Sequence, residues 1–198
     1  AELGWNEAEI PGLLSLLENN DSRAFLLLKD GKIAIEAYFG RNLLNTADFD
    51  QNTLWYWASA GKTLTAFTVG MAQEEGFLDI QDKSSDYLGE GWTSLTPEQE
   101  AEIKVWNQLT MTSGLDDGVA NSNSFEAEDL MFKSNPGERW AYHNAPYTLL
   151  DQVVESAVGE DFDSYFNKVL KDKIGMDGNW VWTNGNHVYF SDARSMAR

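Results

Sequence analysis

Two apolar runs near the start of the chain, Ala24-Phe25-Leu26-Leu27-Leu28 and Ile33-Ala34-Ile35-Glu36-Ala37-Tyr38, flank Lys29-Asp30-Gly31-Lys32. Asp-Gly between two such runs predicts an antiparallel hairpin closed by a tight turn. Before it, Leu13 to Leu17 follow Pro11-Gly12 and read as a short amphipathic helix. After it, an aromatic stretch from Thr53 to Ala58 leads into Ser59. There the periodicity becomes helical, with Leu64, Phe67, Met71 and Ala72 as an apolar stripe and Gly76 as the stop. Few residues before Gln73 are polar, so this helix is expected to be largely buried.

The middle of the chain is loop-rich. Residues 79–86 and 89–97 carry turn formers, Ile103 to Leu109 is a short helix candidate, and Asp116 to Asn135 is a long polar excursion interrupted by Leu130-Met131-Phe132. Helical periodicity returns in Tyr147, Leu149, Leu150, Val153, Val154 and Ala157, closed by Gly159. A second run, Phe162, Phe166, Val169, Leu170 and Ile174, stops at Gly175. Two short aromatic pieces with strand character follow. Ser191 to Arg198 reads as the start of a helix capped by Ser191, an unusual place for a natural C-terminus. No internal repeat and no low-complexity tract is present.

Composition narrows the picture. The chain has 198 residues, with 42% hydrophobic and 23% charged, as expected of an ordered globular protein. Aromatic residues make up 13%, eight of them Trp, and read first as packing residues. The formal net charge of −18 argues against nucleic acid or an anionic membrane as partner. No apolar run reaches membrane-spanning length. With no cysteine, thiolate catalysis and disulfides are excluded, and with only His143 and His187, far apart, a Ser-His-Asp triad is a weak reading.

One tetrad does carry chemistry. Ser59-Ala60-Gly61-Lys62 places serine and lysine three apart at the start of a predicted helix, hence on one face. A helix start also favours negative charge developing at the serine. A lysine among apolar neighbours loses proton affinity and becomes a usable base. By itself the tetrad is weak, because a chain of this length holds on the order of one such match by chance. Further on, Asn135-Pro136-Gly137-Glu138-Arg139-Trp140-Ala141-Tyr142-His143-Asn144 leads straight into a helix. Tyr142 there offers a phenol to relay protons and Asn144 an amide to hold substrate or lysine. A second Tyr-x-Asn, Tyr165-Phe166-Asn167, falls in mid-helix and reads as structural. Asp79, Asp82, Asp86, Asp116 and Asp117 match no calcium-loop spacing and read as solvated loop carboxylates. Gly61-Lys62-Thr63 lacks the upstream glycine of a phosphate loop.

In order, the hairpin, Ser-x-x-Lys, Trp106-Asn107-Gln108-Leu109-Thr110-Met111-Thr112-Ser113-Gly114-Leu115, Pro-Gly-x-x-x-x-Tyr-x-Asn and Lys173-Ile174-Gly175-Met176 resemble the serine β-lactamase and penicillin-binding-protein superfamily. Together they look like class C β-lactamases and their esterase, D-aminopeptidase and amide-hydrolase relatives. The resemblance implies an α/β (α+β) fold, an antiparallel sheet flanked by helices with a helical region. Residues 1–58 would give the N-terminal helix and hairpin, and 59–198 the nucleophile helix and helical region, with the site in the cleft between. It implies acylation of Ser59, Lys62 and Tyr142 sharing its proton as a coupled pair, Asn144 orienting substrate or Lys62, and the Ser59 backbone N–H as one oxyanion donor. The expected substrate is a small ester, amide or β-lactam. No cofactor or metal is implied, and a periplasmic or secreted location is. A non-catalytic β-lactam sensor or binding member of the same fold is the competing reading.

Two departures stand out. His143 occupies a position where many relatives carry serine, and is expected to serve packing or the rim of the site. The Lys-Thr-Gly or His-x-Gly motif of the superfamily does not follow Tyr142, so the C-terminal strands are expected to lie outside these residues.

Overall fold

The computed structural model describes residues 4–198. They form two compact units, one made of residues 4–57, 175–179 and 190–198, the other of residues 58–174 and 180–189.

In the first unit, helix α1 (Ile10–Asn19) precedes strands β1 (Ala24–Lys29) and β2 (Lys32–Tyr38). The strands pair antiparallel, Ala24 opposite Tyr38 and Lys29 opposite Lys32, with a register shift between Leu27 and Leu28. Asp30 and Gly31 both take positive φ, 51° and 73°, which is the conformation an Asp-Gly turn provides at least cost. Strand β3 (Trp55–Tyr56) pairs with the end of β5 (Asn186–Ser191), Trp55 opposite Ser191. The terminal helix α10 (Ala193–Met196) is capped by Asp192, whose carboxylate accepts from Ser195 N. This corrects the expected cap at Ser191. The Ser191 hydroxyl is engaged elsewhere, accepting the Trp57 indole N–H at 2.7 Å and donating to the Asp192 carbonyl. Arg194 in α10 grips Glu36 in β2 through two parallel bonds of 2.7 and 2.8 Å.

The second unit is helical. Its first long helix, α2 (Lys62–Glu74), is entered through a 3-10 turn, Ala58–Gly61. Leu64, Thr65, Thr68, Val69 and Ala72 are buried, while Phe67 is 46% exposed. The expected stripe was thus drawn too wide, since Phe67 turns away from the Leu64–Thr68–Ala72 face. Short helices α3 (Ser85–Leu88), α4 (Pro97–Glu100) and α5 (Val105–Leu109) lead to the loop 116–135. Helices α6 (Asn144–Thr148), α7 (Leu150–Val158), α8 (Phe162–Phe166) and α9 (Asp172–Ile174) follow, with a π-helical turn at Asn167–Lys171. Strands β4 (Asn179–Thr183) and β5 make a hairpin around Asn184 and Gly185, both at positive φ.

The core of this unit gathers what the periodicity marked. Val69, Val153, Val154, Phe162, Phe166 and Tyr165 are almost wholly excluded from water, each such side chain stabilising by about 1.5–3 kcal/mol. Tyr165, the tyrosine of the second Tyr-x-Asn, spends its hydroxyl on Glu75 at 3.0 Å and belongs to this core. Trp92, Ile103, Leu115, Leu130, Ala145 and Leu149 form a further apolar cluster with Phe125 packed against it.

Candidate active site

Ser59, Lys62, Tyr142 and Asn144 all fall in the second unit. Ser59 lies inside the 3-10 turn and Lys62 is the first residue of α2. Immediately before the serine, Ala58 holds φ at 48°, a left-handed conformation that costs a residue with a Cβ roughly 1 kcal/mol or more. The chain is bent sharply at this point, and the Ser59 side chain is left exposed. Its hydroxyl takes no hydrogen bond from Lys62 or Tyr142 among the described residues.

Lys62 is half-buried between two phenol rings. Its ammonium lies 5.4 Å from the ring centre of Tyr142 and 5.6 Å from that of Tyr147. Both are within the range where a cation is attracted to a ring face. Tyr147 also donates its hydroxyl to the Lys62 carbonyl at 2.7 Å, tying α6 to the start of α2. Burial pushes the Tyr147 phenol up to about 12, so it stays protonated and keeps donating. Tyr142 is different: it is 46% exposed and meets the ammonium with its ring. Lys62 and Tyr142 are thus brought together, with Ser59 three residues from Lys62.

The segment that delivers Tyr142 is held by the 106–115 motif. Met111 and Gly114 both take positive φ, and the chain between them accepts the backbone of the later segment. Gly137 N donates to Thr112 O, and Ala141 N to Met111 O. At Gly114 a side chain is impossible, because a Cβ would stand 2.2 Å from the Ser134 carbonyl. Behind this, buried Gln108 donates to the Pro146 carbonyl at 2.7 Å and accepts from Ser84, fixing α6.

Asn144 opens α6. Its amide nitrogen donates to Asn123 Oδ1 at 3.2 Å, and its own Oδ1 is buried without a partner. His143 is buried, 4% exposed, and its Nε2 meets the Ser122 carbonyl at 3.0 Å. It therefore packs under the loop, and burial holds its imidazole below the ordinary histidine range. The aspartates of the loops serve turns and ion pairs: Asp79 accepts from Gln81 N, Asp116 pairs with Lys133 and Asp117 with Arg139. Among the described residues no cluster of His, Cys, Asp and Glu is arranged to hold a metal ion, and no helix is long and apolar enough to cross a membrane.

Three contributors escaped the sequence reading. Tyr147 passed as a core residue of its helix, and Ser122 and Asn123 were lost in a polar excursion. Their signal is contact between residues far apart in the chain, which no local pattern encodes.

The fold and this arrangement define a class. The Beta-lactamase family profile matches residues 9–188 of the chain. The chain belongs to the Beta-lactamase family. It is 26% identical over 171 residues to the penicillin-binding protein PbpX of Bacillus subtilis (strain 168), covering 81% of this chain and 41% of the relative. To a Beta-lactamase of Pseudomonas fluorescens it is 23% identical over 162 residues, covering 78% of this chain and 44% of the relative. The chain thus spans about two-fifths of the length of these curated relatives. Among solved structures it is similar to a penicillin-binding protein from Bacillus halodurans, with TM-score 0.75 and 18% identity over 93% of this chain and 71% of that one. This last likeness shows the fold, an antiparallel β structure with helices of the penicillin-binding-protein and β-lactamase type.

Proposed function

We propose that the protein is a serine hydrolase that cleaves an ester or amide bond, a β-lactam included, through an acyl-enzyme on Ser59. The observation that carries this reading is the Lys62 ammonium held against the Tyr142 ring beside an exposed serine on a bent helix entry. Family membership supports it.

In this scheme the Ser59 oxygen attacks the substrate carbonyl. Its proton passes to the Lys62–Tyr142 pair, acting as one coupled base. Negative charge develops on the carbonyl oxygen, where the Ser59 backbone N–H at the helix entry stabilises it. The pair returns the proton to the leaving alcohol or amine, and the Ser59 ester remains. Water then attacks that ester, surrendering its proton to the same pair, and restores the free serine. Asn144 orients the substrate. No metal or cofactor takes part in any of these steps.

The test is turnover of a p-nitrophenyl ester, an amino-acid p-nitroanilide and a chromogenic cephalosporin by the natural protein and by Ser59→Ala. Turnover of at least one probe, lost in the variant, is expected. Turnover that survives in Ser59→Ala overturns the assignment. A serine that acylates with the cephalosporin and never releases it would make the protein a β-lactam sensor.

A further inference from the structure

Two consecutive residues of the site bind two consecutive residues of the long loop. His143 Nε2 meets the Ser122 carbonyl at 3.0 Å, and Asn144 Nδ2 meets Asn123 Oδ1 at 3.2 Å. A carbonyl only accepts, so the neutral His143 ring carries its proton on Nε2 and donates it. The other ring nitrogen, Nδ1, is buried with no hydrogen-bond partner. From the other side Asn123 is backed by the β4–β5 turn, where a Cβ on Gly185 would stand 2.7 Å from the Asn123 carbonyl. Two residues on, Phe125 meets the Trp182 ring edge-on at 6.0 Å. The 121–125 segment is thus clamped between the Tyr142–Asn144 segment and residues 180–189 of the β4–β5 hairpin, all within the second unit.

Of the two side chains that hold this loop, only Asn144 has been given a role toward substrate. His143 touches none of Ser59, Lys62 or Tyr142 through a hydrogen bond among the described residues. We propose that His143 is a positioning residue: it sets Asn123 against Asn144 and so shapes substrate recognition without taking part in proton transfer. This rests on the hydrolase reading for its effect on substrate, and on geometry alone for its effect on the loop.

The clamp has a built-in pH dependence. Protonating His143 would place a second N–H on Nδ1, which has no acceptor, and leave a charge in a dry site. The charged groups acting on the ring are Asp117, Asp116 and Arg139, and Asp117 and Arg139 are already paired with each other. Because burial lowers the affinity of the folded ring for its proton, the unfolded chain binds more protons as pH falls through 6.5 and below. The clamp is therefore firm above that range and loosens under acid.

Hydrogen–deuterium exchange of the natural protein, read on peptides covering residues 119–126 and corrected for the intrinsic pH effect, tests the clamp. His143→Ala is expected to speed exchange there about tenfold or more at pH 8. His143→Gln, whose amide can still donate to Ser122, is expected to keep wild-type protection and lose the acid-induced loosening. In turnover of the p-nitrophenyl ester or the cephalosporin, His143→Ala should raise KM about tenfold and leave kcat within about threefold. Unchanged exchange in His143→Ala, or a fall in kcat with KM intact, overturns the proposal. If no probe is turned over by the natural protein, the hydrolase reading fails while exchange still decides the clamp.

Discussion

Single side chains decide the chemistry, and Lys62 is the one to remove. Its ammonium is the only cation placed on the rings of Tyr142 and Tyr147 among the described residues. Lys62→Met keeps the length of the side chain and discards the charge and the base. We expect labelling of Ser59 by a fluorophosphonate to slow by roughly a thousandfold, within the range that a positioned acid–base group contributes. A labelling rate within tenfold of the natural protein would remove Lys62 from the mechanism. The four candidate residues were open to nomination from the sequence because their order, with Pro136-Gly137 and the 106–115 motif between them, is specific in combination even where each piece is common. The partners of that set were not. Nothing near Asn123 marks it as a neighbour of Asn144, and although a packing role was expected of His143, nothing in the sequence names Ser122 as its partner.

Elements follow local rules where local energy is strong. The 24–38 hairpin was readable from its Asp-Gly turn, and the helices from their periodicity and their glycine stops. Misplaced details have non-local causes: Ser191 gave its cap to Asp192 because Trp57 claims its hydroxyl, and Phe67 faces away from the stripe it was assigned to. The Asn167–Lys171 π turn likewise follows no signal in the apolar spacing. The junction of β2 and α10 yields a pH prediction. Glu36 accepts two bonds from Arg194 and one from the Tyr38 hydroxyl, and these hold its carboxyl down to about 2, against an ordinary 4.5. The folded state therefore resists protonation that the unfolded chain undergoes. The stabilisation is complete above pH 4.5 and is lost as pH falls toward 2. Since Arg194 is 44% exposed, solvent screening keeps the gain small. Glu36→Gln should lower the urea midpoint at pH 7 and narrow its difference from the natural protein as pH falls through this window. An equal difference at pH 7 and at pH 2.5 would show that the pair contributes nothing electrostatic.

At the scale of the molecule, an excess of acid over base, 32 Asp and Glu against 14 Lys and Arg, sets a background that no local bond cancels. Such a charge repels itself and limits which polyanions can approach. It leaves the substrate open, because pocket shape and not net charge chooses it. Family membership rests on residues 9–188 taken together, and the reaction rests on a few of them. The central claim is that Ser59 is the nucleophile, and the most direct measurement is an intact mass of the natural protein before and after a fluorophosphonate, followed by peptide mapping. A single adduct on the peptide carrying Ser59, absent in Ser59→Ala, is the predicted result. No adduct, or an adduct on a different serine that persists in Ser59→Ala, would contradict the account.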